Sequence, residues 1–183
     1  MDRFIEKSAK DNKNAIIITL VIAIFVVMIS FTLYKWLVLG RRDLMELFSE
    51  VMLMYVFMER VGGKYNYELD EKVLRITKKS VFGIVKVYEV PYRDVYGIFL
   101  YKPKLVGVVK FHRTYRLHSA LERRTVWTLA YSVSDDKGKA KNHRIYFKPS
   151  EEMLDALAEK LPDKVRVSEE IVVVNMINKK SAP

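Results

Sequence analysis

The sequence predicts an α+β chain, mainly β, in which an N-terminal transmembrane helix precedes an antiparallel β-barrel or sandwich closed by a C-terminal amphipathic helix. Three observations support this prediction. Residues 15–34 contain no charge, residues from Lys64 onward alternate apolar and polar side chains in short runs, and the segment before Pro162 has the apolar spacing of one helix face. A chain of 183 residues is long enough for one domain with its own core.

The first predicted element is a transmembrane helix over residues 15–39. Its first 20 residues are uncharged, and at a rise of about 1.5 Å each they span about 30 Å, the thickness of the hydrocarbon core of a bilayer. Tyr34, Lys35 and Trp36 follow in the pattern that is typical of a membrane interface. A signal peptide would have a shorter apolar region and a small-residue cleavage site. Residues 1–14 form an N-terminal tail in this interpretation.

Residues 41–60 predict a second helix, which is amphipathic. Asp43, Glu46 and Glu50 lie at i, i+3 and i+7 and form one polar stripe. The uncharged part, residues 51–58, is too short to span a bilayer, so we expect the helix to lie along the membrane or to pack on the domain. The alternative is a spanning hairpin, which would place both chain termini on one side. The basic residues on the two flanks of the first helix are nearly balanced and do not set its orientation.

Residues 64–162 predict a β-domain, because short runs rich in β-branched and aromatic residues are separated by turn residues. The predicted strands are 65–69, 73–76, 80–90, 92–101, 105–111, 124–134 and 142–148. Asp70-Glu71 and residues 135–138 are the clearest turns. Strands this short and this regularly spaced are typical of an antiparallel barrel or sandwich.

One helix closes the predicted domain. Ser150 is a suitable N-cap, and acidic residues follow it in the first turn, where the helix dipole favours them. The residues of its apolar stripe are Met153, Leu154, Leu157, Ala158 and Leu161. Pro162 ends the helix. Residues 163–183 form a C-terminal extension, in which the apolar run 171–177 would add an edge strand or contact another chain.

Several short motifs connect this domain to a known family. They are Tyr67-Glu68-Leu69, Leu74-Arg75-Ile76, Val90-Pro91, Val95-Tyr96-Gly97-Ile98 and the closing stretch 147–152. With a membrane helix before them, they resemble the bacterial pleckstrin-homology-like (PH-like) domains of small membrane proteins, over residues 64–162. The resemblance implies a PH-like barrel, a binding function and, with the anionic inner leaflet of a cell membrane, a cytoplasmic domain. Relative to that family, residues 110–124 look like an extra loop.

The sequence offers little for catalysis. It contains no cysteine, which excludes disulfides, thiolate metal sites and a cysteine nucleophile. His112, His118 and His143 lie among Arg and Lys, whose positive field disfavours both metal binding and a protonated imidazole. There is no phosphate-binding glycine loop and no nucleophile elbow. We therefore expect no enzymatic activity, no cofactor and no metal.

Positive charge is the most informative feature. Residues 72–125 hold 13 basic and 3 acidic residues, so their net charge of +10 equals that of the whole chain. On alternate strand positions and on the long loop, many of these residues would line one face. The candidate lipid- or partner-binding residues are Lys78, Lys79, Lys86, Lys102, Lys104, Lys110, Arg113, Tyr115, Arg116, Arg123 and Arg124. A basic surface without any ligand is the simplest alternative.

These features predict a membrane-anchored module that docks on anionic lipid headgroups through its basic face. Lys and Arg gain about 1 kcal/mol each near an anionic bilayer. The alternative is an accessory or assembly subunit of a membrane protein complex, with the same domain contacting protein partners. Nucleic-acid binding is disfavoured, because the chain is basic but has no nucleic-acid-binding motif. The sequence does not define the oligomeric state.

Overall fold

The computed structural model describes residues 4–8, 12–40, 44–102, 110–134 and 139–181. The chain is α+β, with 43% helix and 33% strand, so the mainly β part of the prediction is not supported. In chain order the elements are β1 (Phe4–Lys7), α1 (Asn12–Leu39), α2 (Leu44–Gly62), β2 (Lys64–Leu69), β3 (Val73–Lys79), β4 (Val85–Pro91), β5 (Val95–Leu100), β6 (Arg113–Arg116), β7 (Trp127–Ser134), β8 (Ala140–Phe147), α3 (Glu151–Lys160) and α4 (Glu169–Ser181).

The strands form two four-stranded sheets, in the orders β1-β2-β3-β4 and β5-β7-β8-β6. Neighbouring strands are antiparallel, except that β6 runs parallel to β8. Both sheets and α3 contribute side chains to one buried core. Its most deeply buried members include Tyr67, Leu74, Ile76, Ile145, Phe147 and Leu157. Within the described part of the chain the two sheets do not close into a barrel.

The β2–β3 hairpin is as predicted. Tyr65, Tyr67 and Leu69 alternate into the core, and Tyr67 lies directly opposite Ile76 on β3. The Tyr67 hydroxyl donates a hydrogen bond of 2.8 Å to the carbonyl oxygen of Leu117, between the two sheets. Alternation therefore identified the core face correctly.

Three predicted regions differ from the structure, and one of them is the start of the predicted strand 92–101, where Tyr92–Asp94 form a 3-10 helix before β5. Residues 80–84 are a turn rather than the first half of a strand, because Gly83 adopts φ +83°, which reverses the chain before β4. The predicted extra loop 110–124 contains β6, which pairs with β8. Residues 105–109 of a predicted strand and the predicted turn 135–138 lie outside the described residues.

Helix α3 confirms its prediction in detail. The Ser150 hydroxyl accepts a hydrogen bond of 3.1 Å from the backbone N–H of Met153, the geometry of an N-cap. Met153, Leu154 and Leu157 are fully buried, and the helix ends at Lys160, before Pro162.

The predicted extra strand at residues 171–177 was wrong, because this run belongs to helix α4. Val172 and Met176, one helical turn apart, are buried against Tyr96 and Phe99 of β5. The backbone at Gly97 permits this packing, since a Cβ there would lie 2.7 Å from a methyl group of Val172.

The predicted N-terminal tail contains a strand of the domain. β1 pairs with β2, with Phe4 opposite Leu69 and Lys7 opposite Asn66. The chain therefore enters the domain, leaves it through α1 and α2, and returns to the adjacent strand.

Helices α1 and α2 pack against each other as an antiparallel hairpin. The Phe25 and Phe57 rings lie 6.1 Å apart, and the Thr32 hydroxyl donates to a Glu50 carboxylate oxygen at 3.1 Å. Among the described residues, one helical segment, the 25 residues Ala15–Leu39, is long and apolar enough to cross a membrane. Because β1 and β2 are paired, the start of α1 and the end of α2 lie at the same end of the hairpin. The helix predicted at 41–60 thus packs on α1, whereas the sequence led us to expect it along the membrane or against the domain.

Candidate functional site

Four lysines gather where the hairpin joins the domain. Lys64 begins β2 directly after α2, and it lies opposite Lys79 on β3. Lys78 lies opposite Lys86 on β4. We call this region, formed by the four lysines and the β3–β4 turn at residues 80–84, the hairpin base.

A carboxylate of α2 fixes part of the hairpin base. Lys78 Nζ donates to one oxygen of Glu59 at 2.6 Å, and the Ser80 hydroxyl donates to the other at 2.6 Å. Burial is the largest single effect on Lys78 and opposes its charge, but the hydrogen bond to Glu59 and the smaller electrostatic contributions of Tyr65, Glu59 and Tyr88 together outweigh burial, so the pKa of Lys78 is raised. This ion pair attaches β3 to the last turn of α2.

The β3–β4 turn exposes a cluster of large apolar side chains. Phe82 and Ile84 are each 55% exposed, and Val81 and Val85 are also exposed. The Phe82 ring stacks on Tyr55 of α2, with centroids 5.1 Å apart. Tyr55 precedes the end of α2 by two turns, about 10 Å along the helix axis. The turn therefore extends beside α2, and its apolar surface continues that of the hairpin.

Gly62 allows this close packing, because a Cβ at that position would lie 2.2 Å from a methyl group of Val81. We expect Gly62→Ala to displace the β3–β4 turn from α2, at a cost of about 1–3 kcal/mol. Hydrogen exchange of the Phe82 and Gly83 amides in the full-length protein would be faster than in the wild type. Gly63→Ala is a matched control, since the atom nearest to a Cβ at that position would be the Tyr65 hydroxyl oxygen, at 3.2 Å. Equal exchange in the two variants would contradict this account of Gly62.

A cavity of about 340 Å³ opens at the hairpin base. Helices α1 and α2, strand β2 and the end of β3 all contribute to its wall. The residues lining it include Ile18, Met58, Val61, Lys64, Lys79 and Val81.

The other predicted binding residues do not form one face with these lysines. Arg113 and Arg116 are exposed on β6, and Lys110 is exposed just before it. Tyr115 packs instead of projecting, with its ring 5.1 Å from that of Tyr88 and 6.1 Å from that of His143. β6 is therefore a second basic area.

Three more predicted residues lie elsewhere. Arg124 forms ion pairs with Glu6 of β1 and with Glu122, so it has a structural role. Arg123 is exposed next to it, and Lys102 is exposed after β5. Lys104 lies outside the described residues. The single basic face that the sequence predicted is divided in the structure.

The predicted interface residues lie near the far end of the hairpin, and one of them has a partner that the sequence did not indicate. Tyr34 is exposed and Trp36 is half-buried. Lys35 Nζ donates to both carboxylate oxygens of Glu46 on α2 at 2.7 Å, and it lies 5.2 Å from the centre of the Phe31 ring. Lys35 therefore pairs within the hairpin.

The three histidines all lie in the described part of the chain. His143 stacks on His112 at 5.7 Å, and burial, together with the nearby His112 and Arg113, lowers the pKa of His143. Burial also lowers the pKa of His118. Over the described ranges, no group of three or more potential metal-ligating side chains comes together.

Sequence reasoning missed Glu59, Lys64 and Phe82. The segment 80–90 contains the relevant signal, since Gly83 interrupts an apolar run that basic residues flank on both sides. The pairing of Lys64 with Lys79 follows once the β2–β3 register is known. A comparison with models of known protein families matched none of them, and a comparison with curated proteins found no significant match.

Proposed function

We propose that the protein is a membrane-anchored binding module without catalytic activity. In this proposal the α1–α2 hairpin spans a bilayer, and the hairpin base docks the domain on anionic lipid headgroups. The observation that carries it is the exposed apolar turn beside α2, flanked by lysines on both strands. Apolar side chains suit the outer part of the hydrocarbon layer, and Lys suits the headgroup layer just above it.

The hairpin dimensions support a span. The apolar segment of α1 is about 37 Å long, enough for the hydrocarbon core. Helix α2, with 19 residues, is about 28 Å long. Its carboxylates Glu46 and Glu50 face α1: Glu46 forms an ion pair with Lys35, and Glu50 accepts a hydrogen bond from Thr32 through one oxygen, while its other oxygen is buried without a partner on any residue that the structure describes.

We further propose that the domain is PH-like and lies in the cytoplasm. Two sheets packed around one core and sealed by α3 support the first statement, together with the motifs in the sequence. The second rests on the family resemblance and on the negative surface potential of the cytoplasmic leaflet, which attracts lysines near the membrane.

Depth measurements test the docking directly. Because the chain has no cysteine, Ile84→Cys can carry a fluorophore in the full-length protein in nanodiscs. We expect nitroxide-labelled lipids to quench it, more strongly when phosphatidylglycerol is mixed with phosphatidylcholine and less strongly at high salt. Val133→Cys, also exposed but on β7, is the matched control and should stay unquenched. Equal quenching of the two labels would exclude docking through the hairpin base.

A role as a subunit of a membrane protein complex is the second candidate, and one observation favours it. Helix α4 buries Val172 and Met176 but exposes a second apolar stripe on its other side, at Ile171, Val174 and Ile177. Such a stripe is suited to a protein partner. Loss of a copurifying membrane protein on Val174→Arg, with unchanged quenching at residue 84, would favour this function.

A further inference from the structure

The Lys64–Lys79 pair at the hairpin base is an electrostatic anomaly. The two residues lie directly opposite each other on antiparallel strands, so their side chains leave the same face of the sheet. Like charges in this position destabilise a sheet unless an anion lies between them. In the described part of the chain, neither ammonium group has a carboxylate within ion-pair distance.

The neighbouring lysine pair provides an internal comparison. Lys78 and Lys86 are also directly opposite each other, but there the chain supplies the anion. Glu59 accepts a hydrogen bond of 2.6 Å from Lys78 Nζ and forms an ion pair with it. Lys78 thus has its anion within the fold, whereas the Lys64–Lys79 pair opens on a cavity.

The cavity wall indicates what kind of anion would fit. The lining has a basic part, Lys64 and Lys79, and an apolar part that includes Ile18, Met58 and Val81. Ile18 lies in the second turn of α1, and Met58 one turn before the end of α2, so the apolar wall belongs to the membrane-side helices. A ligand that satisfies both parts has an anionic group a few bonds away from a hydrocarbon chain.

We propose that this cavity binds one anionic phospholipid, with its phosphate between Lys64 and Lys79 and the start of an acyl chain along Ile18 and Met58. The volume of about 340 Å³ suits a headgroup with the first part of one chain. The proposal rests on the proposed function for the position of the hairpin base at a membrane surface. It goes further, because docking on a leaflet needs only diffuse charge, whereas this site holds one lipid molecule.

Thermal unfolding of the full-length protein in detergent, with native mass spectrometry, tests the site. We expect added phosphatidylglycerol to raise the Tm of the wild type and to bind one molecule per chain. Lys64→Gln and Lys79→Gln should weaken binding at least about tenfold, since each removes a charged hydrogen-bond donor to the phosphate. Without lipid, both variants should melt no lower than the wild type, because the substitution relieves the repulsion.

The control is Lys72→Gln, an exposed lysine in the β2–β3 turn at the opposite end of these strands, which should bind lipid like the wild type. Equal lipid binding in all three variants would overturn the proposal. Stabilisation by inorganic phosphate as large as that by phosphatidylglycerol would also overturn it, since the apolar wall would then have no role. If either happens while the label at residue 84 is still quenched in anionic nanodiscs, the site is wrong and leaflet docking stands.

Discussion

Ile5→Cys and Ser134→Cys will react with an impermeant thiol reagent from one side of the membrane, and Arg42→Cys will react from the other. Ile5 is exposed on β1 and Ser134 on β7, so both belong to the domain. Arg42 lies in the connection between α1 and α2. Because β1 and β2 are paired, a span by α1 requires α2 to return through the same bilayer.

Each cysteine variant is either labelled or not labelled in intact cells. The chain has no native cysteine, so the wild type gives no background labelling. If the domain is cytoplasmic, Arg42→Cys should be labelled in intact cells. Ile5→Cys and Ser134→Cys should then be labelled only after the cells are lysed. The reverse pattern would keep the hairpin and move the domain outside, which removes the inner leaflet as its target. Labelling of residues 5 and 134 from opposite sides would mean that α1 crosses alone and that β1 does not pair with β2.

Glu6→Ala will be the most destabilising single substitution outside the apolar core, at about 2–3 kcal/mol. The Glu6 carboxylate, with its side chain 12% exposed, forms an ion pair with Arg124. It also accepts hydrogen bonds from the Ser150 hydroxyl at 2.8 Å and from the Ser150 backbone N–H at 3.1 Å, at the positive end of the α3 dipole. Alanine would leave these donors and the guanidinium without that partner.

Thermal unfolding of the full-length protein should reveal this loss as a decrease in Tm of about 10 °C. The Tm of Glu6→Gln should lie between those of the wild type and Glu6→Ala. The amide oxygen can still accept a hydrogen bond from Ser150, but it carries no charge to pair with Arg124. Glu71→Ala is the control, since Glu71 is exposed in the β2–β3 turn. If Glu6→Ala and Glu71→Ala have the same Tm, the contacts of β1 with α3 do not stabilise the domain.

Local sequence patterns predicted the elements that local physics determines. Period-two alternation identified the buried faces of β2 and β3, and the N-cap with its apolar stripe located α3 within one residue. These elements have side-chain patterns that fit only one secondary structure, and their ends have clear turn or cap residues.

The patterns failed where distant parts of the chain decide the structure. β1 has only four residues, and its pairing depends on β2, about 60 positions later. The run 171–177 is rich in β-branched residues and was predicted as a strand, but its packing across Gly97 makes it helical. The candidate site was predicted in part. Three of its four lysines, Lys78, Lys79 and Lys86, were identified, whereas Lys64 was missed, because only the strand register brings it to Lys79.

The pairing of β1 with β2 has a consequence for biosynthesis. β1 leaves the ribosome first, but its partner strand follows only after both helices have been made. Ser150, its other main contact, is 144 residues away, so this part of the domain has a high contact order and a large loop-closure entropy. Packing of α1 against α2 brings the two ends of that loop together and removes most of this entropic cost. Under the proposed span of the hairpin, this packing would form in the bilayer, and assembly of the domain would follow membrane insertion.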